Sequence, residues 1–307
     1  MYNPSRGFGG GTPPRVKEPV IFPYRMSFTP SHIATLATSS AIDDLRIFLK
    51  TLSFWNASPP PVYLFCDAAV AAAVPSFGYT GELLIKEALT AYSGLNRAQM
   101  EAMPGIRKNL FFDFVCEKLT LIEWVFSTTD SSGVLFCDAD ICFLAPLFQI
   151  PTGTSLAVSP HLIREHDEAR FGIYNAGMIW IKDAATVALW REACDTSSFY
   201  EQIAIETLVI FVDKPYMIPV TENYGWWRLW QGRKSPAELK DEWKMNKKNP
   251  GSGISIHGVP LGSVHTHFAE TRDAATATYN DWVKTSLRRI AQVHEPARRF
   301  LEYMNWA

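Results

Sequence analysis

A chain of 307 residues with 47% hydrophobic content can bury one large core or two small ones, which excludes a disordered protein. Lys and Arg number 29 against 31 Asp and Glu, so no global field holds nucleic acid, and any anion must be gripped locally. Five cysteines, an odd number spread along the chain, argue against a disulfide scaffold. With no signal-like leader and no run of about 18 apolar residues, the expectation is a soluble, cytoplasmic protein of a reducing compartment.

In chain order, residues 1–30 are rich in Gly and Pro without a period of 2 or 3.6 and are expected to form a flexible arm. HIATLATS, His32 to Ser39, predicts a buried strand, and Ala41 to Trp55 predicts a helix with Leu45, Phe48, Leu49 and Leu52 on one face. PVYLFCD, Pro61 to Asp67, predicts a second strand that ends in an acid. Strand, helix, strand in that order implies a parallel sheet with a right-handed crossover. Phe111 to Phe126 has helical spacing, and GVLFCDAD follows it as a third strand. SLAVSP (Ser155 to Pro160) and YNAGMIWIKD (Tyr174 to Asp183) are strand-like, and helices are expected near Ala184 to Ala193 and Phe199 to Val212. Ser235, Pro236 and Glu238 carry the signature of a capped helix start. GSVHTHF, Gly262 to Phe268, predicts a short late strand, and the tail from Asp273 is helical with a break near Pro296. Together these elements predict an α/β fold: an open, mostly parallel, Rossmann-like sheet flanked by helices, with a C-terminal helical tail.

The chemistry concentrates in VLFCDADICFL, Val134 to Leu144. Asp138 and Asp140 stand where a buried strand stops, and ligands of open α/β sheets gather beyond the carboxyl ends of strands. Two carboxylates in a poorly solvated place repel each other unless a cation or a raised pKa relieves them. Oxygen ligands of this kind suit Mg²⁺ or Mn²⁺, with open positions left for the phosphate oxygens of a diphosphate. A polar turn closing a strand is the alternative for an isolated D-x-D, but such a turn does not need apolar sequence on both sides.

VLFCDADICFLAPL resembles the aspartate-x-aspartate segment of the GT-A glycosyltransferases. HIATLATSS is similar to their first strand and nucleoside-binding turn, and FCEKLTLIEWV to the helix bearing a donor-binding Lys. YNAGMIWIKD resembles their Asn-x-Gly strand, YEQIAIETL their Asp-Gln helix, and VHTHF the late His-Phe that supplies a metal ligand. These segments follow in family order over about residues 31–270. The resemblance implies a GT-A-like catalytic domain over 31–270, with residues 271–307 as a helical extension packed on it.

Carried onto this chain, the resemblance implies that Asp140 binds the metal, that Asp138 shares it or reaches the ribose, and that His267 completes the ligands, with His265 as the fallback on the same strand face. Ala37, Thr38 and Ser39 would line the nucleoside, Ala139 the donor, and Asp67 the base or ribose, unless Asp67 is simply a polar strand end. Lys118 would contact the donor, or else snorkel to solvent. Asn175 and Gly177 would form the donor-sugar wall, and Arg272 would stand in for a missing Lys on the diphosphate. Glu201, Gln202 and Asn175 are the candidate catalytic residues, although Glu201 also fits an ordinary capping box with Ser198. Glu201 and Glu206 both depart from the family pattern. Trp226, Trp227 and Trp230 are either an acceptor platform or core. Arg288, Arg289, Arg298 and Arg299, near Phe300 and Trp306, allow at most peripheral membrane contact, with a solvated helix face as the simpler reading.

The function expected is Mn²⁺- or Mg²⁺-dependent transfer of a hexosyl group from a nucleotide-diphosphate sugar, UDP- in preference to GDP-, to a carbohydrate or glycan hydroxyl, with retention of configuration. The alternatives are a non-catalytic nucleotide-sugar or carbohydrate binder and a Mg²⁺-dependent phosphatase. The phosphatase would need further acidic ligands on a later strand end, and the sequence offers none.

Overall fold

The computed structural model describes residues 26–269 and 273–307. Seven strands form the main sheet: β1 (Ile33–Ala37), β2 (Val62–Cys66), β3 (Leu83–Glu87), β4 (Val134–Cys137), β5 (Leu156–Pro160), β6 (Tyr174–Ile181) and β7 (Pro215–Met217). Their spatial order is β3, β2, β1, β4, β6, β5, β7. Strands β1 to β4 run parallel, β6 runs antiparallel to both β4 and β5, and β7 is parallel to β5.

Strands β1, β2 and β4 are buried along their whole length because helices cover both faces, and they therefore read as unbroken apolar runs. Strand β3, which the sequence analysis does not anticipate, is an edge strand whose residues from Ile85 to Glu87 face solvent. Its Lys86 and Glu87 break the apolar signal and discourage pairing with another sheet. Pro215 opens the opposite edge strand, where its missing N–H costs no ladder bond.

Helix α1 (Ile42–Trp55) packs Leu45, Phe48, Leu49 and Leu52 against one face of the sheet, as its spacing predicts. Each of these side chains is worth roughly 1.5–3 kcal/mol of burial. Helices α2 (Leu110–Thr128), α3 (Ala184–Asp195) and α4 (Tyr200–Phe211) cover the other face. A third apolar cluster lies beneath α5 (Ala274–Ala291) and α6 (Glu295–Met304). Asp273 caps α5, and Pro296 sits in the first turn of α6, so the predicted break falls between the two helices. Ser235 and Glu238 form the predicted capping box. Phe300 is fully buried and stacks on Trp55, and Trp306 packs on Phe268, so the aromatic side chains near the basic tail belong to the core. All five cysteines are buried and unbridged. Among the described residues, no helix is long and apolar enough to cross a membrane.

A small second sheet sets up the site. Ser263–His265 lies between Tyr224–Gly225 and Ile141–Phe143, and its antiparallel register pairs His265 with Ile141. The late histidines are thereby placed beside the turn that leaves β4. Gly262 precedes this strand because a Cβ there would come within 1.8 Å of a Glu222 carboxylate oxygen.

Burial pushes the Glu222 carboxyl up from 4.5 to about 8. Between those values the native state keeps a proton that the unfolded chain has lost, so this group costs stability progressively as pH rises across the window. Glu222→Gln is expected to raise Tm relative to the parent by at least about 4 °C in weakly alkaline buffer, with the gap closing near pH 5. Thermal melts at both pH values check this, and a gap that does not change with pH would reject it.

Candidate active site

Strand β4 ends at Cys137, and the chain turns through Asp138, Ala139 and Asp140, closed by the Ile141 N–H donating to the Asp138 carbonyl at 3.2 Å. The Asp138 N–H donates to the Gly177 carbonyl at 2.8 Å, which ties the turn to the start of β6. Asp138, Asp140 and His265 bring one ligand atom each to within 4.8 Å of one another. His265 Nε2 lies 3.0 Å from Asp140 Oδ1 and 3.8 Å from Asp138 Oδ2. His267 approaches from outside, with Nε2 3.5 Å from the other Asp140 oxygen and Nδ1 2.9 Å from Asp44 Oδ2. The tight group thus contains the fallback histidine, while His267 reaches Asp140 alone. Strand geometry ends at His265, so the two rings do not share a face by alternation; they flank Asp140, one on each oxygen.

The protein supplies its own compensating charge here. Burial alone would raise the Asp140 carboxyl, but the charge of His265, and then of His267, holds it well below the usual carboxylate range. Asp140 in turn lifts His267 to about 9. Burial would depress His265, but Asp140 reverses the direction and raises it.

Lys118, from the middle of α2, is 3% exposed and does not snorkel. Its ammonium donates to Glu201 at 2.6 Å, lies 3.7 Å from Asp138, and sits over the Phe136 ring. Glu201 is not a capping residue: α4 begins after Phe199 with no side-chain cap, and the Glu201 carboxylate turns inward to Lys118. Tyr200, which starts the helix, holds a left-handed backbone at φ 48°. That conformation is unfavourable for a bulky residue. Tyr200 is fixed by its hydroxyl, which donates to Glu101 at 2.8 Å, and by edge contacts with Phe111, Phe112 and Phe199.

These groups open on a cleft of about 740 Å³, a size that suits a nucleotide-sized ligand. Ala37, Thr38, Lys118, Asp138, Ala139, Asp140, Glu201, Gln202 and His267 line it. Its far wall is apolar and aromatic, from Leu95, Met100, Phe111 and Phe114. Asp67 lies behind the cleft, fully buried. It caps the helix after β2 and accepts from the Ser39 N–H at 2.8 Å and from Ser93 Oγ at 2.9 Å, fixing both loops. Ser39 contributes through that backbone bond. Gln202 accepts from the Ala176 N–H at 3.2 Å and donates to the Phe171 carbonyl, while Glu206 holds the Ile173 N–H at 3.0 Å. Both side chains on α4 therefore brace the start of β6. Trp227 is buried edge-on against His265 and His161, whereas Trp226 and Trp230 pack on each other, Trp230 being exposed. Arg272 lies outside the described residues. Sequence reasoning missed Asp44, a buried acid next to Leu45 at the start of α1, where a charge reads as a solvated first-turn residue, and Asn223, in a segment without periodicity.

At Gly177 a Cβ would lie 2.3 Å from His265 Cε1 and 2.5 Å from Asp138 Oδ2. The ring that approaches this glycine is thus the His265 imidazole. Two carboxylates with an imidazole form a mixed oxygen and nitrogen donor set that fits Mn²⁺ better than Mg²⁺.

No family model matches the chain, and no curated protein sequence matches it. Among solved structures, the galactosyltransferase LgtC, in complex with donor and acceptor sugar analogues, aligns with a TM-score of 0.50 at 14% identity, over 83% of this chain and 95% of that one. The fold is that of the GT-A glycosyltransferases. The glycosyltransferase GlyE of Streptococcus pneumoniae TIGR4 gives 0.40 at 14% identity over 66% of this chain and 48% of its own. Mouse xyloside xylosyltransferase 1 gives 0.41 at 9% identity over 64% and 88%. Within the GT-A fold, the acidic turn after β4 and the start of β6 lie side by side at one edge of the sheet.

Two outcomes are expected. Gly177→Ala should leave the fold intact and weaken Mn²⁺ binding by roughly 10- to 100-fold in titration calorimetry, because the methyl displaces His265 or Asp138; unchanged affinity would remove this contact from the site. Imidazoles raised by Asp140 must lose protons to accept a metal, so Mn²⁺ affinity should climb with pH until about 9, with proton release seen as buffer-dependent heats.

Proposed function

We propose that the protein is a glycosyltransferase that binds a nucleotide-diphosphate sugar, with UDP preferred, and moves the sugar to a carbohydrate hydroxyl with retention of configuration. The observation that carries the proposal is the convergence of Asp138, Asp140 and His265 within 4.8 Å, the two aspartates lining a cleft together with Lys118 and Glu201. Asp138, Asp140 and a histidine, His265 or His267, would hold the metal. When bound, the metal would neutralise the charge that builds on the leaving diphosphate. The LgtC structure, with its donor and acceptor sugar analogues, supports the same two classes of ligand here.

The remaining work falls to the protein. Thr38 and the backbone held by Asp67 shape the nucleoside end of the cleft. Lys118 holds the Glu201 carboxylate pointed inward, so an oxygen acceptor faces the donor-sugar end of the cleft, where a sugar cation would develop. Gln202 is bonded at both ends of its amide and acts by holding Asn175 and Ala176 in place. Leu95, Met100 and Phe114 add apolar lining to the cleft, which would limit water inside it. The later strand end contributes histidines, where a D-x-D phosphatase would need acids.

The test is a panel of nucleotide sugars with Mn²⁺, scored by nucleotide release and by the anomeric NMR signals of fresh product. Asp140→Asn is expected to lower kcat/KM by at least about 100-fold while preserving Tm. Full activity in that variant rejects the metal role, an inverted product rejects retention, and binding of UDP with Mn²⁺ but no turnover would make the protein a binder.

A further inference from the structure

Behind the acidic turn lies a chain of buried amides whose directions are set by the backbone. A backbone N–H only donates and a carbonyl only accepts, so any amide side chain touching one has its oxygen and nitrogen assigned. The Phe171 carbonyl accepts from Gln202 Nε2, which leaves Gln202 Oε1 for the Ala176 N–H at 3.2 Å. Asn175 is then fixed twice. Its Oδ1 accepts from the Gly177 N–H at 3.0 Å, and its Nδ2 faces Gln202 Oε1 at 3.4 Å.

Asn223 is fully buried and meets that same Asn175 Oδ1 at 2.9 Å, so the atom it presents must be Nδ2. Nδ2 also donates to Ser159 Oγ at 2.9 Å. Asn223 Oδ1 is left facing His265 Nδ1 at 3.0 Å, and an oxygen in that place needs a hydrogen from the ring. Nδ1 therefore carries it. A neutral imidazole has one N–H, so Nε2 is left as a lone pair, and it points at Asp140 Oδ1 from 3.0 Å. Something positive must therefore stand between the two atoms: a second ring proton donated to Asp140 in the free protein, and a cation in that proton's place when metal binds. Trp227 against one side of the ring and Gly177 against another stop it from flipping away.

We infer that Asn223 is a positioning residue that holds His265 with Nδ1 protonated and Nε2 presented to Asp138 and Asp140 as a metal ligand, its orientation dictated through Asn175 by the Gly177 backbone N–H. The inference rests on the metal reading proposed above. It adds a residue that touches neither metal nor sugar and acts only through the histidine. Such partners of ligating histidines typically govern metal affinity by about 10- to 100-fold.

The experiment uses the full chain with ¹⁵N-labelled histidine, His265 being assigned by comparison with His265→Gln. Ring ¹⁵N shifts and long-range couplings are recorded without metal, in buffer alkaline enough to leave the ring neutral, and Mn²⁺ affinity is measured by electron paramagnetic resonance. The parent should show Nδ1 protonated and Nε2 bare. Asn223→Leu should give mixed tautomers and Mn²⁺ binding weakened by about 10- to 100-fold. A parent ring protonated on Nε2 overturns the inference, whether or not the leucine variant folds. So does a folded Asn223→Leu with unaltered tautomer and affinity. A parent that shows the expected tautomer but does not take up Mn²⁺ upholds the orientation and rejects the metal reading, so the two failures are distinguishable.

Discussion

Carboxylates drawn out of water need positive charge beside them, and the architecture of this cleft follows from where that charge comes from. Asp138 and Asp140 leave the end of β4, Asp44 comes from the first turn of α1, and Glu201 from the first turn of α4. Lys118 serves Glu201 and Asp138, while His265 and His267 serve Asp140, with Asp44 behind His267. The acids are therefore compensated by the chain itself. From sequence, a metal appears necessary to reconcile the two aspartates. In the structure a divalent ion would replace protons on the imidazoles, not fill an uncompensated hole.

Sheet topology explains how such distant residues meet. Parallel strands deliver their following turns to one edge, so Asp67, Thr38 and Asp138 lie along it in the spatial order of β2, β1 and β4. Strand β6 runs the other way and brings its beginning, Asn175 to Gly177, to that same edge beside Asp138. The small sheet then lays His265 against Ile141 from the opposite side. One reversed strand and one three-residue strand thus convert a row of loop ends into an enclosed pocket floor.

The parts of the fold with a strong period were legible. Strands β1, β2 and β4 are sandwiched on both faces and show as apolar runs, and α1 and α2 show their helical spacing. Strand β3 was not legible, because an edge strand with Lys86 and Glu87 looks like any exposed segment. Local pattern also left two readings open for Glu201: Ser198 stands at capping distance in the chain, yet the carboxylate is claimed by Lys118, 83 residues away. Asp44 and His267 are 223 residues apart and carry no signal of each other. Asn223 lies among residues without periodicity, and its role emerges only when each amide in its network is traced back to a backbone group that can act in one way.

Tyr200 shows how far the precision of the site depends on distant structure. Its left-handed backbone sets the direction in which α4 starts and hence where Glu201 enters the cleft. What holds it is a clasp from elsewhere: the hydroxyl bond to Glu101, and the guanidinium of Arg97 lying over both Tyr200 and Phe111. The short helix that carries Arg97 and Glu101 is thus a splint for the acid on the opposite bank, and exchanging it for a loop of equal length would misalign a carboxylate it never touches.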